Sequence, residues 1–203
     1  MCLEGRGSGA SAPAVAAKPR PRRTVRQVVD VLIVTGPVGA GKTSVAFECL
    51  EVLDEQGIAA AMVDAELVYF HPAPADDPQK ERVAEAALAA LWPLYAAQGI
   101  ERLLLARVIE KPSHLELVRS AVPDARIQVA WLDVPAERIA ERLGAREIGS
   151  ALDWHLARSE EIRRNAAQHD LFDFAVNGDR PVREVALDVL DGAKWIASVL
   201  PDR

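Results

Sequence analysis

Short apolar runs alternate with longer amphipathic segments along the chain. The runs have the length and β-branched content of buried strands, whereas the segments between them space their apolar residues as a helix does. The predicted strands are 28–35, 59–63, 102–109, 127–134 and 172–176. The predicted helices are 42–56, 80–98, 113–122, one beginning at Pro135 that a glycine-flanked stretch from Gly144 to Gly149 interrupts, 151–167 and 182–200. This alternation predicts a parallel sheet covered by helices on both faces, a three-layer α/β sandwich.

The first part of the chain differs from the rest in composition and charge. Residues 1–26 contain six basic residues and only Glu4 as an acid, in a background of Gly, Ala, Pro and Ser. We therefore expect a disordered basic arm, with contact to an anionic surface as the alternative. Because the whole chain carries a net charge of −6, the predicted domain at 27–203 is acidic. An acidic body argues against nucleic acid as a specific partner.

The sequence favours a cytoplasmic protein without a membrane partner. Arg22 and Arg23 are not followed by the apolar stretch that a twin-arginine signal needs. No run of eighteen apolar residues is present, and the two cysteines, Cys2 and Cys49, are too few for a disulfide framework or a zinc site.

The strongest motif is GPVGAGKT, from Gly36 to Thr43, which fits the phosphate-binding pattern G-x-x-x-x-G-K-[ST] at every fixed position. It lies between a predicted strand and a predicted helix. Glycines let backbone N–H groups surround phosphate oxygens, Lys42 reaches the β- and γ-phosphates, and Thr43 offers a hydroxyl to Mg²⁺. The residues expected to bind ATP are Gly36, Val38, Gly39, Ala40, Gly41, Lys42, Thr43 and Ser44.

The other motifs indicate which kind of P-loop protein this is. The guanine motif N-K-x-D is absent, and the run LLLARVIE offers no clean Walker B acid. The chain resembles the nucleoside monophosphate kinase-like group of small P-loop kinases, which includes adenylate kinase, shikimate kinase and chloramphenicol phosphotransferase. The resemblance covers most of residues 28–200 by element order. It implies a five-stranded sheet ordered 2-3-1-4-5, a segment covering the substrate after the second strand, and a lid around residues 142–158.

Two carboxylates follow the second strand, where doubly wound folds bind their ligands. The resemblance implies that Asp64 orients or deprotonates the acceptor and, with Thr43, holds Mg²⁺. It also implies that Glu66 contacts the substrate. The alternative is that Asp64 only caps the following turn.

Two arginines mark the predicted lid. Arg142 and Arg146 are four residues apart and share a helix face, on either side of Gly144. They would supply fixed positive charge to the transferring phosphoryl group or a surface on which adenine stacks. The alternative is an exposed helix that pairs them with Glu141 and Glu147. The lone Asp153, where adenylate kinase has paired aspartates, counts against AMP as the acceptor.

Arg107 and Glu110 end the third predicted strand, where they would face the acceptor or pair with each other. The sequence as a whole predicts a kinase that transfers the γ-phosphoryl group of ATP, with Mg²⁺, to a hydroxyl or phosphate of a small molecule. Its predicted catalytic residues are Lys42, Asp64, Arg142 and Arg146. The alternative is a nucleotide-binding or ATPase module that acts through a conformational change or a partner. The sequence predicts neither the acceptor nor the oligomeric state.

Overall fold

The computed structural model describes residues 28–68, 78–146 and 150–197. Its strands are β1 (Val29–Thr35), β2 (Ala61–Asp64), β3 (Arg102–Ala106), β4 (Ala125–Asp133) and β5 (Phe174–Asn177). Its helices are α1 (Lys42–Glu55), α2 (Ala65–Val68), α3 (Pro78–Ala97), α4 (Pro112–Ala121), α5 (Ala136–Arg146), α6 (Ser150–His169) and α7 (Val182–Gly192). None of the helices in these ranges is long and apolar enough to cross a membrane.

The strands form one parallel sheet in the order β2-β3-β1-β4-β5. The predicted fold class and strand order are therefore confirmed. β1 lies in the centre, and its residues Leu32, Ile33 and Val34 are fully buried. A strand that is covered on both faces has a nearly continuous run of apolar residues, which is why residues 28–35 could be recognised as a buried strand.

Alternate residues of β1 face two separate apolar cores. Leu32 and Val34 pack with α1 and α7, where Val45 and Val189 are buried. Val31 and Ile33 belong to the opposite layer, which contains residues of α3 and α4. Since side chains alternate across a strand, a single buried strand contributes to both layers of the sandwich.

Several predicted boundaries were wrong in ways that affect the site. β3 ends at Ala106, so Arg107 and Glu110 lie in the segment after the strand rather than within it. α5 continues through Gly144 to Arg146, because one glycine inside a helix costs only about 1 kcal/mol. α7 ends at Gly192 rather than near residue 200. The predicted arm at 1–26 and residues 69–77 and 147–149 lie outside the described residues.

Candidate active site at the carboxyl edge of the sheet

The motif GPVGAGKT forms the turn between β1 and α1, as the sequence predicts. Gly39 and Gly41 have φ values of 84° and 96°, which side-chain-bearing residues rarely adopt. A Cβ on Gly39 would lie 3.0 Å from Leu143 Cγ of α5, so the loop is packed closely against that helix. The Gly41 carbonyl accepts the first helical hydrogen bond, from Val45 N–H at 2.9 Å. The first turn of α1 therefore presents backbone N–H groups at the position where P-loops bind phosphate.

The other residues of the motif surround this turn. Ala40 is buried and its N–H donates to Pro37 O at 3.2 Å. Val38 is partly buried against the core, whereas Thr43 and Ser44 are exposed at the start of α1. The motif therefore combines a fixed backbone with two hydroxyl groups that solvent reaches.

Lys42 bends back over the loop. Its Nζ donates to Pro37 O at 3.2 Å and lies 3.7 Å from Glu66 Oε1. The residue is only 7% exposed. Burial lowers the pKa of Lys42, and the negative charges of Glu66 and Asp64 oppose that lowering. The Lys42 ammonium is buried, and the carboxylates that partly neutralise it are themselves partly exposed to solvent. An ammonium in this environment is well suited to bind phosphate oxygens.

Thr43 and Asp64 are brought together by the fold. The Thr43 hydroxyl donates to Asp64 Oδ2 at 2.6 Å, and Glu66 N–H donates to Asp64 Oδ1 at 3.0 Å. A hydroxyl and a carboxylate are the hard oxygen ligands that Mg²⁺ prefers. The described residues contain no group of three or more His, Cys, Asp or Glu side chains that could enclose a metal. The pair therefore fits an ion that keeps water and phosphate oxygens as its other ligands.

Arg142 lies on the other side of the P-loop. Its Nη1 donates to Ala40 O at 3.2 Å, and its Nη2 donates to Gly178 O at 3.1 Å and lies 3.4 Å from Asp179 Oδ1. Glu141, the partner in the alternative interpretation, is paired with Arg138 instead. Arg142 thus joins the P-loop, through Ala40, to the loop after β5, through Gly178 and Asp179.

Arg146 ends α5 close enough to Lys42 for its positive charge to lower the pKa of Lys42. Arg146 therefore lies on the side of the P-loop where Lys42 is, whereas Arg142 lies beside the loop after β5. Glu147 and Gly149, which belong to the predicted lid segment, lie outside the described residues.

Arg107 and Glu110 are buried but do not pair with each other. Arg107 Nη2 donates to Glu81 Oε2 of α3, and Glu110 accepts hydrogen bonds from Arg158 and Asn165 of α6. Glu81, Asn165 and the buried His114 were not predicted as site residues. A polar residue on the buried face of a helix would have been the sequence signal for them. That signal could not be used, because the helix pattern does not show whether a given position is buried.

Comparisons with known proteins agree with this architecture. No protein-family model matches the chain, and no curated protein matches it. Among solved structures, the chain is similar to a gluconokinase from Sinorhizobium meliloti 1021, with 20% identity, a TM-score of 0.57, and coverage of 84% of this chain and 94% of that one. The chain has the fold of the small P-loop kinases.

Two further solved structures share this fold. The tunicamycin resistance protein of Deinococcus radiodurans is 17% identical with a TM-score of 0.55, and the match covers 80% of this chain and 94% of that one. The shikimate kinase of Aquifex aeolicus vf5 is 17% identical with a TM-score of 0.52, over 81% and 96% of the two chains. Proteins with this fold therefore include kinases named for different small molecules.

Proposed function

We propose that this protein is an ATP-dependent kinase that transfers the γ-phosphoryl group to a small-molecule acceptor. The observation that carries the proposal is the contact between Thr43 and Asp64. It joins the hydroxyl that ends the P-loop motif to the carboxylate at the end of β2, which β3 separates from β1 in the sheet. The similar structures include a gluconokinase and a shikimate kinase, which supports small-molecule phosphorylation as the reaction type.

The chain's own residues would divide the work of binding ATP. The backbone of Gly36, Val38, Gly39, Ala40, Gly41, Lys42, Thr43 and Ser44 would surround the phosphates. Lys42 would exchange its contacts with Pro37 O and Glu66 for phosphate oxygens. Thr43 and Asp64 would hold Mg²⁺, which when bound neutralises charge on the β- and γ-phosphates.

The sheet order supports separate sites for the two ligands. Gly178 and Asp179 follow the edge strand β5, whereas Asp64 is the last residue of the opposite edge strand β2. With the P-loop in the middle, we assign the nucleoside to the side of Arg142 and the acceptor to the side of Asp64. Asp64 would then orient the reacting oxygen of the acceptor, and Arg146 would stabilise charge on the transferring group.

The lid around residues 142–158 is part of the same proposal. α5 contacts the P-loop through Leu143 and Arg142, and α6 carries Arg158 back towards the acceptor side. Closure of residues 142–158 over ATP would exclude water from the transfer. We place the reaction in the cytoplasm, where ATP and small-molecule acceptors are available.

The experiment is a coupled ADP-release assay with Mg·ATP, run with and without a panel of metabolites and nucleoside monophosphates. We expect ADP release to rise sharply with one class of acceptor and to be lost in Lys42→Ala. Rapid ADP release that no acceptor changes would contradict the kinase and favour an ATPase module.

A further inference from the structure

A cluster of charged and polar side chains lies on the side assigned to the acceptor. We call it the acceptor-side cluster: Glu81, Arg107, Glu110, His114, Arg158 and Asn165. It joins α3, the segment after β3, α4 and α6.

The sheet register places this cluster beside the proposed metal site. Asp64 is paired with Ala106 across the β2–β3 ladder, so Arg107 is the next residue after the partner of Asp64. Arg107 N–H donates to Val34 O at 3.2 Å, and Ile109 N–H donates to Thr35 Oγ1 at 2.9 Å. The segment is therefore held between the ends of β1 and β2, next to the P-loop.

The first ion pair of the cluster is Arg107 with Glu81. The Arg107 side chain is 3% exposed and that of Glu81 33%. His114 Nε2 lies 3.4 Å from the other oxygen of Glu81, and His114 Nδ1 is 3.5 Å from Glu110 N–H. Both oxygens of Glu81 therefore face donors of the cluster.

The second ion pair is Arg158 with Glu110. Both terminal nitrogens of Arg158 donate to the two oxygens of Glu110, and Asn165 Nδ2 adds a bond of 3.0 Å. Arg158 Nη1 also donates to the exposed Glu161 at 2.8 Å. This bidentate geometry occupies the face of the guanidinium that would otherwise bind a carboxylate or phosphate.

The charges of the cluster cancel. It contains two guanidinium groups and two carboxylates, and burial lowers the pKa of His114 to about 4, which leaves that imidazole neutral at pH 7. Lys111, the nearby lysine, is exposed at the start of α4. An anionic acceptor that bound Arg107 or Arg158 would have to displace Glu81 or Glu110 from a buried or partly buried guanidinium, which is unfavourable.

Two nitrogen atoms of the cluster are buried without a hydrogen-bond partner among the described residues: Arg107 Nε and His114 Nε2. Because His114 Nδ1 accepts from Glu110 N–H, Nε2 is the donor of the neutral ring. A buried donor on a guanidinium that is already neutralised is satisfied by an uncharged oxygen, such as that of a hydroxyl group.

We propose that the acceptor is an uncharged molecule that presents hydroxyl groups, rather than a carboxylate or a phosphate ester. This rests on the proposed kinase function and narrows it to one acceptor class. In the transfer, the hydroxyl oxygen forms a bond to the γ-phosphorus, the bond from that phosphorus to the bridging oxygen breaks, and ADP leaves with the electron pair. The hydroxyl proton is released, and the product is a phosphate monoester.

The first test uses inorganic sulfate as the probe, with the P-loop filled by saturating Mg·ADP. We expect the melting temperature of the wild-type protein to show no saturable rise with sulfate. Glu81→Gln, which frees Arg107, should gain one, whereas Glu116→Gln, in the exposed pair with Arg119, should not. A saturable rise in the wild type that Arg107→Gln removes would overturn the proposal, and so would the absence of any gain in Glu81→Gln.

The second test measures acceptor-dependent ADP release with pairs of acceptors that differ in charge: neutral sugars with their aldonates and sugar phosphates, and nucleosides with their monophosphates. Stimulation by a neutral member and not by its charged partner supports the proposal. Stimulation by the charged member alone overturns it and leaves the kinase intact. Stimulation by no member, with ATP bound, counts against the kinase function itself, so the two failures are distinguishable.

Discussion

The Thr43 hydroxyl donates a hydrogen bond of 2.6 Å to Asp64 Oδ2, across 21 residues of sequence. Thr43 is fixed by the N-terminus of α1, and Asp64 by the end of β2. Because both positions belong to regular elements, the contact follows from the topology of the sheet. It is the feature on which the proposed binding of Mg²⁺ depends.

Lys42→Ala should remove most of the stabilisation that ATP gives. At a nucleotide concentration of a hundred times Kd, the wild-type protein should gain about 2.7 kcal/mol of unfolding free energy. The variant lacks the buried ammonium, so its melting temperature should hardly respond to Mg·ATP. Lys111→Ala, at an exposed lysine, is the matched control and should respond as the wild type does. Equal ATP affinity in a folded Lys42→Ala protein would contradict the P-loop assignment.

Asp64→Asn should keep ATP binding and reduce phosphoryl transfer by at least ~10²-fold, the scale expected for a catalytic carboxylate. The change keeps the size of the side chain but removes the charge that organises Mg²⁺ and the acceptor. Steady-state rates at saturating Mg²⁺ measure the effect, and Asp54→Asn on the exposed side of α1 serves as the control. An unchanged rate would reduce Asp64 to capping the turn at Glu66.

Deleting residues 1–24 should leave both the fold and nucleotide binding unchanged. The composition of this segment provides too little apolar surface to offset the entropy of ordering it. β1 begins only at Val29. Thermal melts with and without Mg·ATP compare the two proteins. A melting temperature many degrees lower in the shortened protein would make the segment part of the domain.

Gly178→Ala and Gly144→Ala should change stability in opposite directions. A Cβ at Gly178 would lie 2.6 Å from Val134 Cγ2, so we expect a loss of about 1–3 kcal/mol from overpacking. At Gly144, inside α5, no atom lies within 4 Å of an added Cβ, so alanine should stabilise the helix by about 0.5–1 kcal/mol. Urea unfolding measures both. Equal effects of the two substitutions would contradict the described packing of α5 and of the loop after β5.

His114 should make stability fall as the pH falls from about 6.5 to about 4. Burial lowers the pKa of His114 to about 4, so in this range the unfolded chain binds a proton that the folded protein does not. The unfolding free energy should therefore rise with pH by up to one proton's slope, and His114→Gln should remove that slope whatever its absolute stability. His169→Gln is the control at an exposed histidine.

The effect of Glu110 on the pH dependence of stability must be distinguished from that of His114. Burial alone would raise the pKa of Glu110, but hydrogen bonds from Arg158 and Asn165 hold it below the ordinary glutamate value. Its contribution is present above the ordinary glutamate value and is lost as the pH falls through the lower, folded value. Glu110 therefore adds little slope at pH values well above the ordinary glutamate value. An unchanged slope in His114→Gln between pH 4.5 and 6.5 would contradict the assignment.

The fold was predictable because local and global signals agree. The apolar run of β1, the glycine motif and the start of α1 identify one βα unit with little ambiguity. The end of β3 was predicted too late, because Val108 and Ile109 continue the apolar pattern. Ile109 N–H donates to the side-chain hydroxyl of Thr35 rather than to a backbone carbonyl of β1, so this hydrogen bond does not continue the β ladder.

The acceptor side was less predictable. The sequence places Arg107 and Glu110 near the end of a strand, but their partners Glu81 and Arg158 come from helices whose packing the pattern does not determine. Pairing between the two was a reasonable hypothesis from their spacing. It was wrong because Arg107 pairs with Glu81 of α3 and Glu110 pairs with Arg158 of α6.

The most direct test of the central claim follows the fate of the γ-phosphoryl group. The protein is incubated with Mg·ATP labelled at the γ-phosphate and a mixture of uncharged hydroxyl compounds, and the labelled products are separated. The account predicts a new labelled phosphate monoester that Asp64→Asn forms much more slowly and Lys42→Ala does not form. Label that appears only in inorganic phosphate, at the same rate with and without the mixture, would contradict it.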